Sequence, residues 1–198
     1  MNWTCPPDCR GLIFDCDGTV VDSMPAHYEA WQFTLSRYGI TFPEEQFYAW
    51  AGLPIADIIG RLCAEQHVVV DIQTVAAERD RYFHNLPTDR LQPLEPVVAI
   101  ARRYRGNIPM AIATGSTHAS ASASLKAIGV LHWFDAVISS QDVGRAKPAP
   151  DVFLAAARAI KVSPSACIAF EDGDAGLQSA RSAGMIAIDI RPWIRHTP

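Results

Sequence analysis

Short, uninterrupted apolar segments, separated by longer amphipathic ones, restrict the fold of this sequence more than any other feature. The apolar segments lie at 11–15, 109–114, 135–139, 166–171 and 185–189. Continuous apolar runs of this length are typical of parallel strands that are covered on both faces. Helical spacing occurs between them, at about 94–105, 117–128, 150–160 and 174–183. This alternation of strands and helices predicts an α/β fold with a doubly wound parallel sheet.

One long segment, residues 24–87, interrupts the alternation. Apolar residues recur at helical spacing from Ile55 to Leu62, and prolines stand at several points where helices can begin. We therefore expect residues 1–23 and 88–198 to form the α/β core domain. Residues 24–87 are expected to form a small, all-helical cap that is inserted after the first strand.

The composition argues against several kinds of partner. The net charge is −4 without any basic block, which disfavours nucleic acid and anionic membranes. No stretch approaches the roughly 18 apolar residues of a membrane helix, and the first residues lack the pattern of a secretory signal. The five cysteines are scattered, as is typical of reduced thiols. We expect a cytoplasmic protein, monomeric or weakly homo-oligomeric, whose partner is a small molecule.

Clusters of polar residues follow the predicted strands. They are Asp15-Cys16-Asp17-Gly18-Thr19, Thr114-Gly115-Ser116, Lys147-Pro148 and Glu171-Asp172. The lysine follows its strand after a short loop, and the other clusters stand directly at strand ends. Because ligands of open parallel sheets bind beyond the carboxyl ends of the strands, we expect these clusters to converge.

The acids of these clusters indicate a metal site. The predicted metal ligands are Asp15, Asp17, Glu171 and Asp172. Several carboxylates at one point carry a large electrostatic cost unless a cation balances them. Hard oxygen ligands at this density suit Mg²⁺, which we therefore predict as the cofactor.

The other residues of the clusters fit a phosphoryl group. The lysine supplies a positive charge, the threonine supplies a hydroxyl, and the glycine and serine after it supply N–H groups where a helix begins. A glycine after the first strand allows a tight turn, so that neighbouring amides can face the phosphate. His27, which lies in the predicted hinge to the cap, is a further candidate for substrate binding. The predicted phosphate- or substrate-binding residues are Cys16, Gly18, Thr114, Gly115, Ser116, Lys147 and His27.

Two acids of the first cluster can perform covalent chemistry. A carboxylate such as Asp15 can act as a nucleophile and form an aspartyl-phosphate. A second carboxylate two residues later, Asp17, can donate and accept the proton. These two residues are the predicted catalytic pair.

The four clusters, in this order, resemble the motifs of the haloacid-dehalogenase superfamily of phosphohydrolases. Residues 14–23, FDCDGTVVDS, look like the first motif, and residues 114–116, 147–148 and 171–172 look like the second, third and fourth. The helical insertion resembles the cap of the β-phosphoglucomutase-like branch. The chain is also similar to the bacterial fructose-1-phosphate phosphatase group, and the resemblance covers about residues 10–191.

This resemblance assigns roles to individual residues. It implies that Asp15 is the nucleophile and that Asp17 is the general acid and base. It also implies that Mg²⁺ is held by the Asp15 side chain, the Asp17 carbonyl and Asp172, with Glu171 nearby, and that the threonine and the lysine hold the phosphate. The sequence departs from the family pattern at Asp174, an acid that we expect to cap the following helix.

The function expected is that of a Mg²⁺-dependent phosphatase that hydrolyses a small sugar phosphate, such as fructose 1-phosphate. A β-phosphoglucomutase-type phosphomutase is the first alternative. Mutases of this branch carry a basic residue shortly after a glycine that matches Gly52, and residues 53–56 contain none. A dehalogenase would need no Mg²⁺ and should lack the acid at Asp17. A non-catalytic binding protein on the same fold would be expected to have lost an acid or the lysine.

Overall fold

A five-stranded parallel sheet forms the centre of the structure, a computed structural model that describes residues 3–194. The strands are β1 (Gly11–Phe14), β2 (Val21–Asp22), β3 (Gln92–Pro93), β4 (Met110–Ala113), β5 (Ala136–Ile138), β6 (Cys167–Glu171) and β7 (Ile186–Asp189). The central sheet has the order β5-β4-β1-β6-β7, and β2 and β3 form a separate antiparallel pair. The five predicted strands and their parallel arrangement are confirmed.

Helices cover both faces of this sheet. The helices of the described residues are α1 (Met24–Ser36), α2 (Glu44–Ala49), α3 (Ile55–Gln66), α4 (Ile72–Asn85), α5 (Glu95–Tyr104), α6 (His118–Ala127), α7 (Asp151–Ala159), α8 (Asp174–Ser182) and α9 (Arg191–Ile194), and those on the sheet faces are α5 to α8. Successive side chains of a strand point to opposite faces. Leu12 therefore packs in one core cluster with residues of α5 and α6, whereas Ile13 packs in another with residues of α7 and α8. The predicted doubly wound α/β fold is confirmed.

The helices α1 to α4 lie between β2 and β3 and have a core of their own. Trp31, Ile59, Leu62 and Val75 belong to one cluster of buried residues that is distinct from the two clusters of the sheet. A proline stands in the first turn of α1, and prolines directly precede α2 and α3, where their fixed φ suits the start of a helix. We propose that these helices form the cap, with the predicted boundaries at residues 24–87.

Two further observations concern the chain as a whole. Within residues 3–194, none of the helices combines the length and the apolar character that crossing a membrane requires. The five cysteines are free thiols, and Cys9, Cys16 and Cys167 are buried.

Candidate active site

The carboxyl ends of β1, β4 and β6 bring the predicted polar residues to one edge of the sheet. β1 lies between the other two, and Phe14 is in register with Ile112 on one side and with Phe170 on the other. Residues that follow these strands therefore face a common cavity. This cavity, which we call the front cavity, has a volume of about 160 Å³. The predicted site residues that line it are Asp15, Asp17, His27, Thr114, Gly115, Ser116, Lys147, Glu171 and Asp172.

A buried lysine binds two of the acids. Lys147 donates hydrogen bonds to Oδ1 of Asp15 at 2.6 Å and to Oε1 of Glu171 at 2.7 Å, and its side chain is 3% exposed. Burial would lower the pKa of Lys147, but the two carboxylates raise it well above its usual value, so the ammonium stays charged. Burial also raises the pKa of Asp15 well above its usual range, against the attraction of Lys147. The lysine thus places a fixed positive charge beside the predicted nucleophile.

Three carboxylates form a group that can hold a metal ion. Oxygens of Asp15, Glu171 and Asp172 lie within 4.8 Å of one another. Lys147 offsets one of these negative charges, and a divalent cation would balance the rest. Because all three donors are hard carboxylate oxygens, the residues fit Mg²⁺. Gly176 makes room for the group, since a Cβ at that position would overlap the carboxylate of Glu171.

The acids of this group differ in their partners. Glu171 accepts hydrogen bonds on both oxygens, from the lysine and from the backbone N–H of Gly173 at 2.8 Å. Asp172 accepts a hydrogen bond from the hydroxyl of Thr19 at 2.8 Å. Burial and the charge of Glu171 raise the pKa of Asp172 to about 7, although the bond from Thr19 opposes this rise. A bound cation would therefore displace a proton from Asp172 near neutral pH.

Three donors surround the second predicted catalytic acid. The hydroxyl of Ser23 lies 2.7 Å from Oδ1 of Asp17, and the hydroxyl of Ser116 lies 2.6 Å from Oδ2. Nε2 of His27 lies 3.1 Å from Oδ1. Burial would raise the pKa of Asp17, but His27 and the two hydroxyls lower it well below its usual range. Asp17 is therefore held as a carboxylate on the wall of the front cavity.

His27 connects this acid to helix α4. Nδ1 of His27 lies 2.5 Å from a terminal nitrogen of Arg79. Since the guanidinium can only donate, Nδ1 accepts this hydrogen bond and Nε2 carries the proton that faces Asp17. Burial, together with the charge of Arg79, lowers the pKa of His27, although Asp17 opposes this shift. His27 is thus a neutral imidazole at physiological pH and orients Asp17.

Arg79 is a site residue that the sequence analysis missed. It is 6% exposed, lines the front cavity, and binds Asp80 at 3.0 Å with its other terminal nitrogen. Its Nε has no partner among the described residues. One signal was present in the sequence, because Val75, Arg79 and Phe83 recur at intervals of four and form the buried stripe of α4. A charged residue within an apolar stripe indicates a buried, paired side chain.

Two of the predicted binding residues have their amides engaged within the protein. Ser116 donates its N–H to Oγ1 of Thr114 at 3.0 Å. Gly18 donates its N–H to the carbonyl of Val21 at 2.8 Å and shapes the turn, as its predicted role requires. The Cys16 side chain is completely buried in the core, and only its backbone can reach a ligand. The backbone N–H groups of Cys16 and Gly115 remain the predicted hydrogen-bond donors to the phosphate.

Asp174 does not cap α8 as predicted. Gly173 occupies the N-cap position, and no side chain accepts a capping hydrogen bond there. The Asp174 side chain is 87% exposed and pairs with Arg191 at 2.8 Å. An acid in the first turn is still favourable because it complements the helix dipole.

The wall that faces the acids is largely apolar. It is contributed by α1, α2, α3 and the loop between α2 and α3, and its apolar side chains are Met24, Trp31, Phe47, Trp50, Leu53, Pro54, Ile55 and Ile58. The absence of a basic side chain at residues 53–56 leaves an apolar surface at the place where a mutase of this branch would carry a cation. His27 and Arg79 add polar groups to this wall.

The fold and the site together define a Rossmann-like α/β protein with a carboxylate and lysine centre at the strand ends. Comparison with known proteins specifies the family. A family profile described as haloacid dehalogenase-like hydrolase matches residues 9–184. The chain therefore belongs to the haloacid dehalogenase-like hydrolases, and the predicted superfamily and hydrolase class are confirmed.

Individual relatives agree with this assignment. The chain is 39% identical over 181 residues to fructose-1-phosphate phosphatase YqaB from Escherichia coli (strain K12), an alignment that covers 91% of this chain and 96% of that one. It is 26% identical to β-phosphoglucomutase from Bacillus subtilis (strain 168), with 91% and 83% covered. The crystal structure of β-phosphoglucomutase from Clostridium difficile matches with a TM-score of 0.81 and 22% identity. The match covers 91% of this chain and 84% of that one. At that identity the structural likeness supports the fold.

Proposed function

We propose that this protein is a Mg²⁺-dependent phosphatase that hydrolyses small sugar phosphates through a phospho-aspartate on Asp15. The observation that carries the proposal is the arrangement of Asp15, Lys147 and Asp172 around one cavity, which Asp17 also lines. A nucleophile, a fixed cation, a metal-binding carboxylate and a proton carrier are the groups that phosphoryl transfer through an aspartate requires.

The first half-reaction transfers the phosphoryl group to the protein. Asp15 and Asp172, with Glu171 nearby, would hold Mg²⁺, and the bound ion would supply charge that offsets the phosphate. An Asp15 oxygen forms a bond to phosphorus while the bond from phosphorus to the sugar oxygen breaks. Lys147 balances the charge of the phosphate oxygens, and Asp17 in its protonated form gives a proton to the departing sugar.

The second half-reaction returns Asp15 to its resting state. Asp17, now a carboxylate, accepts a proton from a water molecule that attacks phosphorus, and the bond to Asp15 breaks with release of inorganic phosphate. The three donors around Asp17 suit this step because they hold it ionised. For the first half-reaction, at least one of these donors must leave Asp17 when the substrate binds. Ser116 is placed for this, since it also lines the front cavity.

The mutase alternative gains one observation from the structure. Arg79 places a buried guanidinium at the front cavity, where a second phosphate of a bisphosphate intermediate would need a cation. Both terminal nitrogens of Arg79 are already bound, one to His27 and one to Asp80. These two bonds use two of the five N–H donors of the guanidinium, and Nε has no partner among the described residues, so Arg79 alone does not decide between the two functions. The apolar wall and the relative named as a fructose-1-phosphate phosphatase both favour hydrolysis.

Phosphorus NMR separates the two functions in one reaction. With Mg²⁺ present, we expect inorganic phosphate to appear from fructose 1-phosphate and from related sugar monophosphates. We expect little interconversion of β-glucose 1-phosphate and glucose 6-phosphate, even when the 1,6-bisphosphate is added. Accumulation of the isomerised sugar phosphate ahead of inorganic phosphate would contradict the phosphatase assignment.

Two controls distinguish catalysis from mere binding. Chelation of divalent metal by EDTA should stop phosphate release, and Mg²⁺ should restore it, whereas Ca²⁺ should substitute poorly because it prefers more ligands at longer distances. Asp15→Asn should be inactive, because an amide is not a competent nucleophile. Sugar phosphate that binds without turnover in the unmodified protein would instead support a non-catalytic binding function.

A further inference from the structure

A second cavity lies behind the metal-binding acids. It has a volume of about 840 Å³, and we call it the rear cavity. Trp50, Ala51 and Leu53, in the loop that joins α2 to α3, line both cavities. Its wall includes residues of α2, α3 and α8 together with the turn after β1, and the residues used below are Gly18, Asp22, Ala49, Arg61, Ala175 and Arg191.

Asp172 lies on the walls of both cavities. Of the four predicted metal ligands, Asp15, Asp17 and Glu171 line the front cavity, whereas Asp172 lines both. Gly18 lies on the rear wall next to it, with φ at +81°, and a Cβ there would overlap the carboxylate of Asp172. The glycine therefore keeps the rear side of this carboxylate free of a side chain.

The charges around the rear cavity favour a cation. Carboxylates on its wall belong to Asp22, Asp172 and Asp174, and guanidinium groups belong to Arg61 and Arg191. The Arg191 charge is offset by two acids, Asp174 at 2.8 Å and Asp189 at 2.7 Å. Arg61 stands over the ring of Trp50, with 5.6 Å between its Cζ and the ring centre. The exposed carboxylate of Asp22 adds negative potential, which raises the local concentration of cations.

The front cavity has to serve the substrate as well. Lys147 offsets part of the negative charge on that side, through its ion pairs with Asp15 and Glu171. The volume of about 160 Å³ must also accept the phosphate and the sugar of the proposed substrate. A cation that approached by this side would therefore compete with any bound substrate for the same space.

We propose that the divalent cation reaches and leaves Asp172 through the rear cavity, while the substrate uses the front cavity. This inference rests on the proposed Mg²⁺-dependent function. It adds that the metal can exchange while a substrate or product fills the front cavity. Substrate and metal would then bind in either order, because neither blocks the path of the other.

Rates of metal release test the route without any measurement of activity. Mn²⁺ serves as the probe, and its transfer from the protein to an excess of a chelating dye is followed by stopped-flow absorbance. Ala175→Trp places a large side chain in the rear cavity, and Ile55→Trp is the matched variant on the front cavity. Ala49→Trp fills the rear cavity from the opposite wall, so that the result does not depend on one variant that folds poorly.

An obstacle on the route slows both the association and the release of the metal and leaves the dissociation constant unchanged. The loss of a metal ligand instead raises the dissociation constant. We expect Ala175→Trp and Ala49→Trp to slow Mn²⁺ release by about tenfold or more, with little change in the dissociation constant from calorimetry. Ile55→Trp should release Mn²⁺ at the parent rate. Parent-like rates in both rear variants, or equal slowing by the front variant, would overturn the route. If the parent protein binds neither Mn²⁺ nor Mg²⁺, the proposed function itself fails.

The negative charge of Asp22, on the wall of the rear cavity, allows an independent test. Asp22→Asn removes a negative charge from the rear cavity without touching the metal group. We expect Mn²⁺ association to slow by about threefold to tenfold at low ionic strength, and the difference from the parent to shrink when salt is added. An association rate that matches the parent at low ionic strength would contradict a route past this residue.

Discussion

Replacement of Lys147 by methionine removes the charge that holds the acidic centre together and keeps most of the side-chain volume. The ammonium lies 2.6 Å from Asp15 and 2.7 Å from Glu171, and all three side chains are buried. Loss of one partner from a buried ion pair costs about 3–5 kcal/mol, because it leaves charge without compensation. Protonation of Asp15, whose pKa burial has already raised, limits this cost at low pH. The loss should therefore grow as the pH rises and Asp15 ionises.

Urea unfolding in EDTA measures this effect directly. At about pH 8, Lys147→Met should lower the free energy of unfolding by about 3 kcal/mol, which corresponds to a fall of about 6–12 °C in Tm for a chain of this size. At about pH 5 the loss should be clearly smaller. Mg²⁺ should stabilise the variant more than the parent, because a divalent cation replaces the missing charge. The control is Lys126→Met on the exposed side of α6, which should change stability by less than about 0.5 kcal/mol.

The reasoning is refuted if Lys147→Met matches the parent within about 0.5 kcal/mol at about pH 8. It is also refuted if the loss is the same at both pH values. In the first case the acids would not depend on the lysine, and in the second case their ionisation would not produce the cost.

Three further predictions follow from the geometry. Gly176→Ala should lower the free energy of unfolding by about 1–3 kcal/mol and weaken Mg²⁺ binding, because the new Cβ would displace Glu171; parent-like thermal unfolding and calorimetry would contradict this. The pKa of Asp172 is about 7, so the apparent Mg²⁺ affinity should fall about tenfold for each pH unit below that value as the proton competes with the metal. Calorimetry in two buffers with different ionisation enthalpies should detect the released proton, and binding that does not vary with pH would exclude the mechanism. His27→Asn should reduce kcat about tenfold or more and raise the pKa of Asp17 in the pH–rate profile, because a hydrogen bond to a charged group is lost; an unchanged profile would remove His27 from a positioning role.

The fold could be predicted from the sequence because local pattern and tertiary burial agree in the core. Strands such as β1 and β4 are apolar on both faces. Each therefore appears in the sequence as a continuous apolar segment whose last residue can be identified. Parallel pairing in register then places the residues after those strands side by side, which is why Asp15, Thr114 and Asp172 could be assigned to one site.

The contacts that the sequence could not reveal depend on hydrogen bonds and distances that no spacing encodes. Ser116 was expected to present its amide, but the hydroxyl of Thr114 takes that N–H and leaves the serine hydroxyl for Asp17. Arg79 meets His27 across 52 residues of sequence, and this contact depends on how α4 packs against α1. Asp174 finds its partner in α9 because β7 returns the chain to the same edge of the sheet.

The measurement that tests the central claim most directly is the detection of phosphate bound covalently to Asp15. The Asp17→Asn variant should be mixed with radiolabelled 2,4-dinitrophenyl phosphate, whose leaving group departs without a proton, and quenched with acid. The first half-reaction with this substrate does not need the proton of Asp17, so the variant lacks only the base of the second half-reaction. The phospho-enzyme should therefore accumulate. Borohydride reduction converts an aspartyl-phosphate to homoserine and releases the phosphate, so peptide mass spectrometry should find homoserine at the position of Asp15. Asp15→Asn should take up no radiolabel. Release of dinitrophenol without protein-bound phosphate, or a label on another residue, would contradict the account.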